Sequence, residues 1–129
     1  LLVDQDRIDL FAEATGDHQW IHVDAARAKA ESPYGTTIAH GLLTLSMIPA
    51  LSKQCFILEN TRMGINYGFN KVRFIAPVPV DSRLRVTSVL ADGTKIDDST
   101  VQLTVRHTVE IQGSEKPVAV AEMIGRYLF

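Results

Sequence analysis

The sequence predicts an α+β domain in which an antiparallel sheet wraps one long helix, and three observations predict it. From His40 to about Ile57 apolar residues fall on nearly every side of a helical projection (Leu42, Leu43, Leu45, Met47, Ile48, Leu51, Phe56), the pattern of a helix buried nearly all round. After "LENTRMG" the period changes to two and β-branched residues take over, which is the pattern of strands. Gly113 and Ser114 then stand at hairpin spacing between the last two such runs, making them antiparallel neighbours. A buried helix against a sheet is one of the few two-layer solutions open to a single domain.

Taken in order, Asp4 or Asp6 caps a first helix running to about Ala14, with Ile8, Leu10, Phe11 and Ala14 as a partly amphipathic stripe, and Gly16 ends it. "VDAARAKAE" restarts helix, because Asp24 is a good N-cap and four alanines follow it, and "SPYG" stops it. The core helix follows from His40. Then "INYGFNKVRFIAPV" reads as a strand with Pro77 and Pro79 at its end. "RLRVTSVLAD" and "STVQLTVRHTVEIQ" are strands joined by a turn at Asp92-Gly93 or slightly beyond, and "KPVAVAEMIGRYLF" is the last. No internal repeat, linker or low-complexity run divides the chain, so residues 1–129 are expected to form one domain.

Composition excludes several classes of function. A net charge of -2 gives no basic field for nucleic acid or anionic lipid. No apolar run approaches the roughly 20 residues of a membrane span, since His40, Pro49 and Lys53 interrupt the best candidate. The single Cys55 cannot form an internal disulfide; it is expected to be a buried, inert thiol in a reducing, cytoplasmic compartment. The chain opens on Leu1 rather than Met, so the lack of a signal peptide carries little weight. No cysteine pair or Glu-containing zinc pattern is present and no glycine-rich phosphate loop, so neither a metal nor a nucleotide cofactor is expected. Lys71, Arg73, Arg83 and Arg85 read as a basic cluster at the strand entrance, ordinarily a solvated face.

The segment "ATGDHQWIHVDAARA" brings a carboxylate, two imidazoles, an indole and an amide together where the chain leaves a helix. Singly these residues are bland: Asp17 after a glycine is a turn or cap residue, and His22 packs beside a helix start. Together, "FAEATGDHQWIHVD" followed by "AHGLLTLSMIPAL" resembles the MaoC-like dehydratase or R-specific enoyl-CoA hydratase family, also called hydratase 2, and within it the NodN-like branch. Gly16, Asp17, Gln19, Ile21 and His22 fit the family's loop; Trp20 departs from it, where many relatives have Pro, a change expected to alter loop packing rather than chemistry. The resemblance covers residues 1 to about 90, including "FNKVRFIAPVPVDSRLRV".

That resemblance implies a hot dog fold and the addition of water to trans-2-enoyl thioesters, of CoA or of an acyl carrier, to give R-3-hydroxyacyl products. It implies that Asp17 and His22 hold the water and relay its protons, and that the Gly41 N–H, with the helix dipole behind it, meets the thioester oxygen. Gln19 is expected to brace the loop, His40 to fix it by hydrogen bonding, His18 to face solvent or a neighbouring chain, and His107 to be an ordinary sheet residue. No metal or cofactor is implied. A homodimer is, with "INYGFNKVRF" as the edge strand that pairs with its copy. Two alternatives stand beside this one: a hot dog thioesterase, against which the lack of an acid on the core helix weighs, and a non-catalytic, NodN-like acyl-thioester-binding protein.

Overall fold

The computed structural model describes residues 1–129, as β1 (Leu2–Val3), α1 (Gln5–Thr15), α2 (Trp20–Val23), α3 (Ala25–Glu31), α4 (Gly41–Ser52), β2 (Met63–Phe74), β3 (Ser82–Lys95), β4 (Thr100–Ile111) and β5 (Pro117–Leu128). The four long strands and β1 form one antiparallel sheet in the order β1-β3-β4-β5-β2. The sequence shows four strand runs and predicts a sheet of four or five strands. The two-residue β1 is too short to show a period, and its pairing with Arg83 and Ser82 ties the start of the chain to the sheet edge.

α1 begins where Asp4 caps it, the carboxylate accepting from the Arg7 N–H. It ends at Gly16, whose φ of 78° is left-handed and whose N–H reaches the Ala12 carbonyl at 2.8 Å. Asp24 caps α3 in the same way through the Arg27 N–H. The β3–β4 turn lies beyond Asp92-Gly93, at residues 96–99, where Asp97 accepts from both the backbone and the hydroxyl of Ser99. Gly113, with φ of 83°, turns β4 into β5.

α4 lies on the sheet, and Leu43, Met47, Ile48 and Leu51 pack with Leu84, Val109, Val118, Ala119 and Ala121 to make the core. Val3, Ile8 and Val78 close it at the side. Truncating fully buried Ile48 to Ala would cost about 2–5 kcal/mol. Two expectations for this helix are corrected. It stops at Ser52 rather than near Ile57, where the turns that follow tighten to three-residue bonds, the Gln54 N–H to the Leu51 carbonyl and the Cys55 N–H to the Ser52 carbonyl. It is also buried on one side only, because Leu42, Ser46 and Ala50 form an exposed stripe at helical spacing. Cys55, beyond the early stop, is exposed rather than buried.

The core is small for the chain, and much apolar surface stays outside it. β2 is an edge strand, and Met63, Ile65, Tyr67, Phe69 and Phe74 along it are all exposed. Two bulges, at Tyr67 and Asn70, break its register with β5. The four basic residues expected as a cluster are separated. Lys71 and Arg73 are on β2 and Arg83 and Arg85 on β3, with β4 and β5 between those strands, because residues 75–81 carry the chain from one side of the sheet to the other. No helix is long and apolar enough to cross a membrane.

Candidate active site

Gly16 turns the chain off α1 so that Asp17 begins a three-residue link into the single turn of α2, which carries His22. His22 is buried, and its Nδ1 lies 2.7 Å from the Ile38 carbonyl. A carbonyl only accepts, so Nδ1 carries the hydrogen and Nε2 of the neutral ring keeps its lone pair. Burial lowers the His22 pKa below the ordinary 6.5, and neighbouring His40 pushes in the same direction; the hydrogen bond to Ile38 and the Asp17 charge oppose them without reversing the shift.

His40, the N-cap of α4, is buried beside it, with ring centroids 3.8 Å apart and planes at 27°. Its Nε2 donates to the backbone carbonyl of Asp17 at 2.9 Å, which ties the loop to the start of the helix, and the Phe11 ring also packs against it, tilted, with centroids at 4.9 Å. By the same logic Nδ1 of neutral His40 is an acceptor, and it is sealed in without a partner. A carboxylate oxygen of Asp17 and ring nitrogens of His22 and His40 lie within 4.8 Å of one another. As a metal site the set is poor. One nitrogen of each ring is taken by a carbonyl, and the in-plane lone pairs of two nearly parallel rings run side by side rather than converging as a tetrahedral ion requires. As a water site it is good, since two groups up to about 5 Å apart can share one water at ordinary hydrogen-bond lengths.

His22 and Gly41 both line a cavity of about 350 Å³, with Tyr34, Thr44, Phe74 and Val118 among its other walls. Gly41 is the first residue of α4, where the N–H has no acceptor within the helix and the dipole is positive. A Cβ here would lie 3.0–3.2 Å from the Phe74 ring, so glycine is what lets backbone and ring come together.

The structure therefore brings together Asp17, His22, His40 and Gly41, and it leaves Gln19 apart. Gln19 is exposed and its side chain makes no hydrogen bond; only its backbone takes part, the N–H toward Asp17 Oδ1 at 3.4 Å and the carbonyl accepting from His22 N–H at 2.9 Å. The bracing side chain is Gln5. Its Nε2 donates to the His22 carbonyl at 2.8 Å and its Oε1 accepts from the buried Thr37 hydroxyl at 2.6 Å. His18 is at the surface, where Glu13, 2.7 Å away, raises its pKa. Trp20 packs under the Arg27 guanidinium, 4.4 Å from the ring centroid, so the indole shapes the loop's exterior.

With this geometry in hand, comparison with known proteins places the chain: residues 1–111 match the MaoC-like domain family, and the chain belongs to it. It is 55% identical over 126 residues to the 3-hydroxyacyl-thioester dehydratase Z of Mycobacterium tuberculosis, covering 98% of this chain and 83% of that protein. It is 48% identical to the Nodulation protein N of Rhizobium leguminosarum, covering 96% and 78%. Among solved structures, the unliganded R-hydratase of Pseudomonas aeruginosa superposes with a TM-score of 0.75 at 27% identity, over 97% of this chain and 74% of that one. The fold is the hot dog fold.

Proposed function

We propose that the chain is an R-specific hydratase and dehydratase that interconverts trans-2-enoyl and R-3-hydroxyacyl thioesters, carried on CoA or an acyl carrier, and that residues 1–129 act as one domain. The observation that carries this is the free Nε2 of a neutral His22, whose ring has a nitrogen within 4.8 Å of an Asp17 carboxylate oxygen, on the wall of a cavity that Gly41, the first residue of α4, also lines. The names of the dehydratase of M. tuberculosis and the R-hydratase of P. aeruginosa support the same reaction class.

In the hydration direction, a water held between His22 and Asp17 gives a proton to Nε2 as its oxygen bonds C3. The electron pair of the C2–C3 double bond moves toward the carbonyl, and the charge that builds on the thioester oxygen meets the Gly41 N–H. The imidazolium then returns its proton to C2 on the same face, so water has added syn and the ring ends neutral as it began. Asp17 orients the water and stabilises the transient imidazolium. His40 is a positioning residue that fixes the Asp17 backbone. The thioesterase alternative lacks an acid on the helix, since α4 contains neither Asp nor Glu. Incubation with crotonyl-CoA tests the proposal: enoyl absorbance should fall and chiral chromatography should show the R product. No turnover, or mainly S product, overturns it.

The proposal includes a homodimer formed through β2, in a reducing, cytoplasmic setting that suits the exposed thiol of Cys55. An edge strand with unpaired backbone groups and a row of exposed apolar side chains is the feature that supports it.

A further inference from the structure

A second cavity, of about 540 Å³, opens at the other end of α4, between its last turn and strands β2, β4 and β5. The two cavities share one flank of the helix. Gly41 lines the first, Pro49 and Ser52 line the second, Leu45 lies between them, and all four are half-buried residues at the three- and four-residue spacing of a single helix face. From Gly41 to Pro49 that face runs roughly 12 Å. On the proposed reading of the first cavity as the thioester site, the flank leads an acyl chain from the reacting carbons into the second cavity.

Pro49, Phe56, Ile57, Ile65, Val105 and Met123 make much of that wall apolar, yet His107 is set into it. His107 is 3% exposed, and its only hydrogen bond joins Nδ1 to the Ser88 hydroxyl on β3 at 2.9 Å. Nε2 has no protein partner and is not sealed off, so it is open to the cavity. Burial lowers the pKa of this ring and nothing opposes the shift. Ser52, Lys53, Thr61, Asn66 and Tyr127 also line the cavity, but they are half-buried or exposed, whereas His107 is the buried polar side chain among them; a plain hydrocarbon tail would strip the water from its Nε2 and offer no bond in return. Because Ser88 can either donate to Nδ1 or accept from it, Nε2 can be donor or acceptor, and an alcohol satisfies both cases.

We propose that His107 is a specificity-determining residue and that the preferred substrates are acyl thioesters whose chain carries a hydroxyl group beyond the reacting carbons, bonded by His107 Nε2 in the second cavity. This goes past the reaction itself and names the tail it selects.

The test compares saturated straight-chain acyl-CoA thioesters of medium to long chain, each with and without a terminal hydroxyl, for binding to the intact protein by calorimetry, so that it does not depend on turnover. Across the series at least one hydroxylated member should bind roughly five- to tenfold more tightly than its unsubstituted counterpart. His107→Leu should abolish that preference, and His107→Gln, which keeps a polar group near Nε2, should retain part of it. Both variants should hydrate crotonyl-CoA, which has no tail, at a rate within about twofold of the unchanged protein. Equal affinities throughout the series, or a preference that survives in His107→Leu, overturn the assignment. Failure of crotonyl-CoA hydration in the unchanged protein instead overturns the proposed reaction and leaves the binding comparison to decide the tail. Should His107→Leu lose its far-UV circular dichroism, the unchanged protein and His107→Gln decide alone.

Discussion

The imidazole of His22 lies almost face to face on that of His40, 3.8 Å between centroids, and each ring donates its one hydrogen to a backbone carbonyl. His22 serves as a base only while its ring is neutral, and a proton on it would sit in a buried place against the neighbouring imidazole. The proposed base is therefore active above its lowered pKa, and the acid limb of kcat/KM for hydration should fall below pH 6.5. Removing the ring in His40→Ala hydrates His22 and deletes the neighbouring imidazole, so the limb should move up toward 6.5 while the rate falls. An acid limb that stays in place would show that His40 does not set the protonation of His22.

The same shift predicts how stability depends on pH. The unfolded chain takes up a proton at His22 near 6.5, whereas the folded chain resists until a lower pH, so the unfolded state binds more protons between the two values. Stability should rise with pH through that window and lose its dependence on this group above it. His107, lowered by burial, acts in the same direction. Urea melts between pH 5 and 7 should show a midpoint that climbs with pH, and His22→Ala should flatten part of the climb.

Replacing Asp17 by Asn or His22 by Ala should lower crotonyl-CoA hydration on the order of 10²-fold to 10⁴-fold. Asp17 is exposed and bears little of the fold, so Asp17→Asn should melt as the unchanged protein does. Full activity in either variant would remove that residue from the proposed pair.

Gly41→Val should abolish turnover, and the structure supplies a second cause besides blocking the thioester: the new Cβ would press on the Phe74 ring at 3.0–3.2 Å. The double variant Gly41→Val with Phe74→Ala separates them. The smaller residue at 74 relieves the crowding, so recovered activity would mean that Gly41 serves only to seat Phe74. Continued inactivity with a native far-UV spectrum supports the oxyanion role.

The local frame of the site was legible in the sequence, because a cap, a left-handed glycine and a helix restart each announce themselves within a few residues, and Asp4, Gly16 and Asp24 stand where that logic puts them. Asp17, His22 and Gly41 are singled out by the family resemblance, and their roles are part of the proposal. Gln5 was not legible. It joins His22 and Thr37, residues far along the chain, through contacts that exist only after α1 docks, and nothing in its neighbourhood marks it. The basic quartet fails for the mirror-image reason: residues close in sequence are not close in space here, because the crossover at 75–81 puts them on well-separated strands. His107 looked like any strand residue, since the cavity it faces is made by the early end of α4.

The proposed dimer rests on the same edge strand that the apolar alternation of "INYGFNKVRF" singled out. β2 pairs with β5 on one side only, and no proline interrupts it between Met63 and Phe74. Pairing with its copy about a two-fold axis would satisfy the free backbone groups, cover Ile65, Tyr67 and Phe69, and wall in the open side of the groove between α4 and β2 where the substrate is proposed to lie. Light scattering at micromolar concentration should then give about twice the 14.3 kDa chain mass. Proline at Phe69 is an ambiguous probe, because Phe69 is also in register with Met123 of β5 and a lost donor there could weaken the chain's own sheet. Phe69→Lys is cleaner: the side chain is 43% exposed, so a charge there is tolerated by a single chain but opposes burial between two. It should shift the mass toward one chain and lower enoyl-CoA hydration together, with the far-UV spectrum kept. An unchanged protein that is monomeric and turns over enoyl-CoA at full rate would show that the site is complete within one chain and that β2 needs no copy of itself.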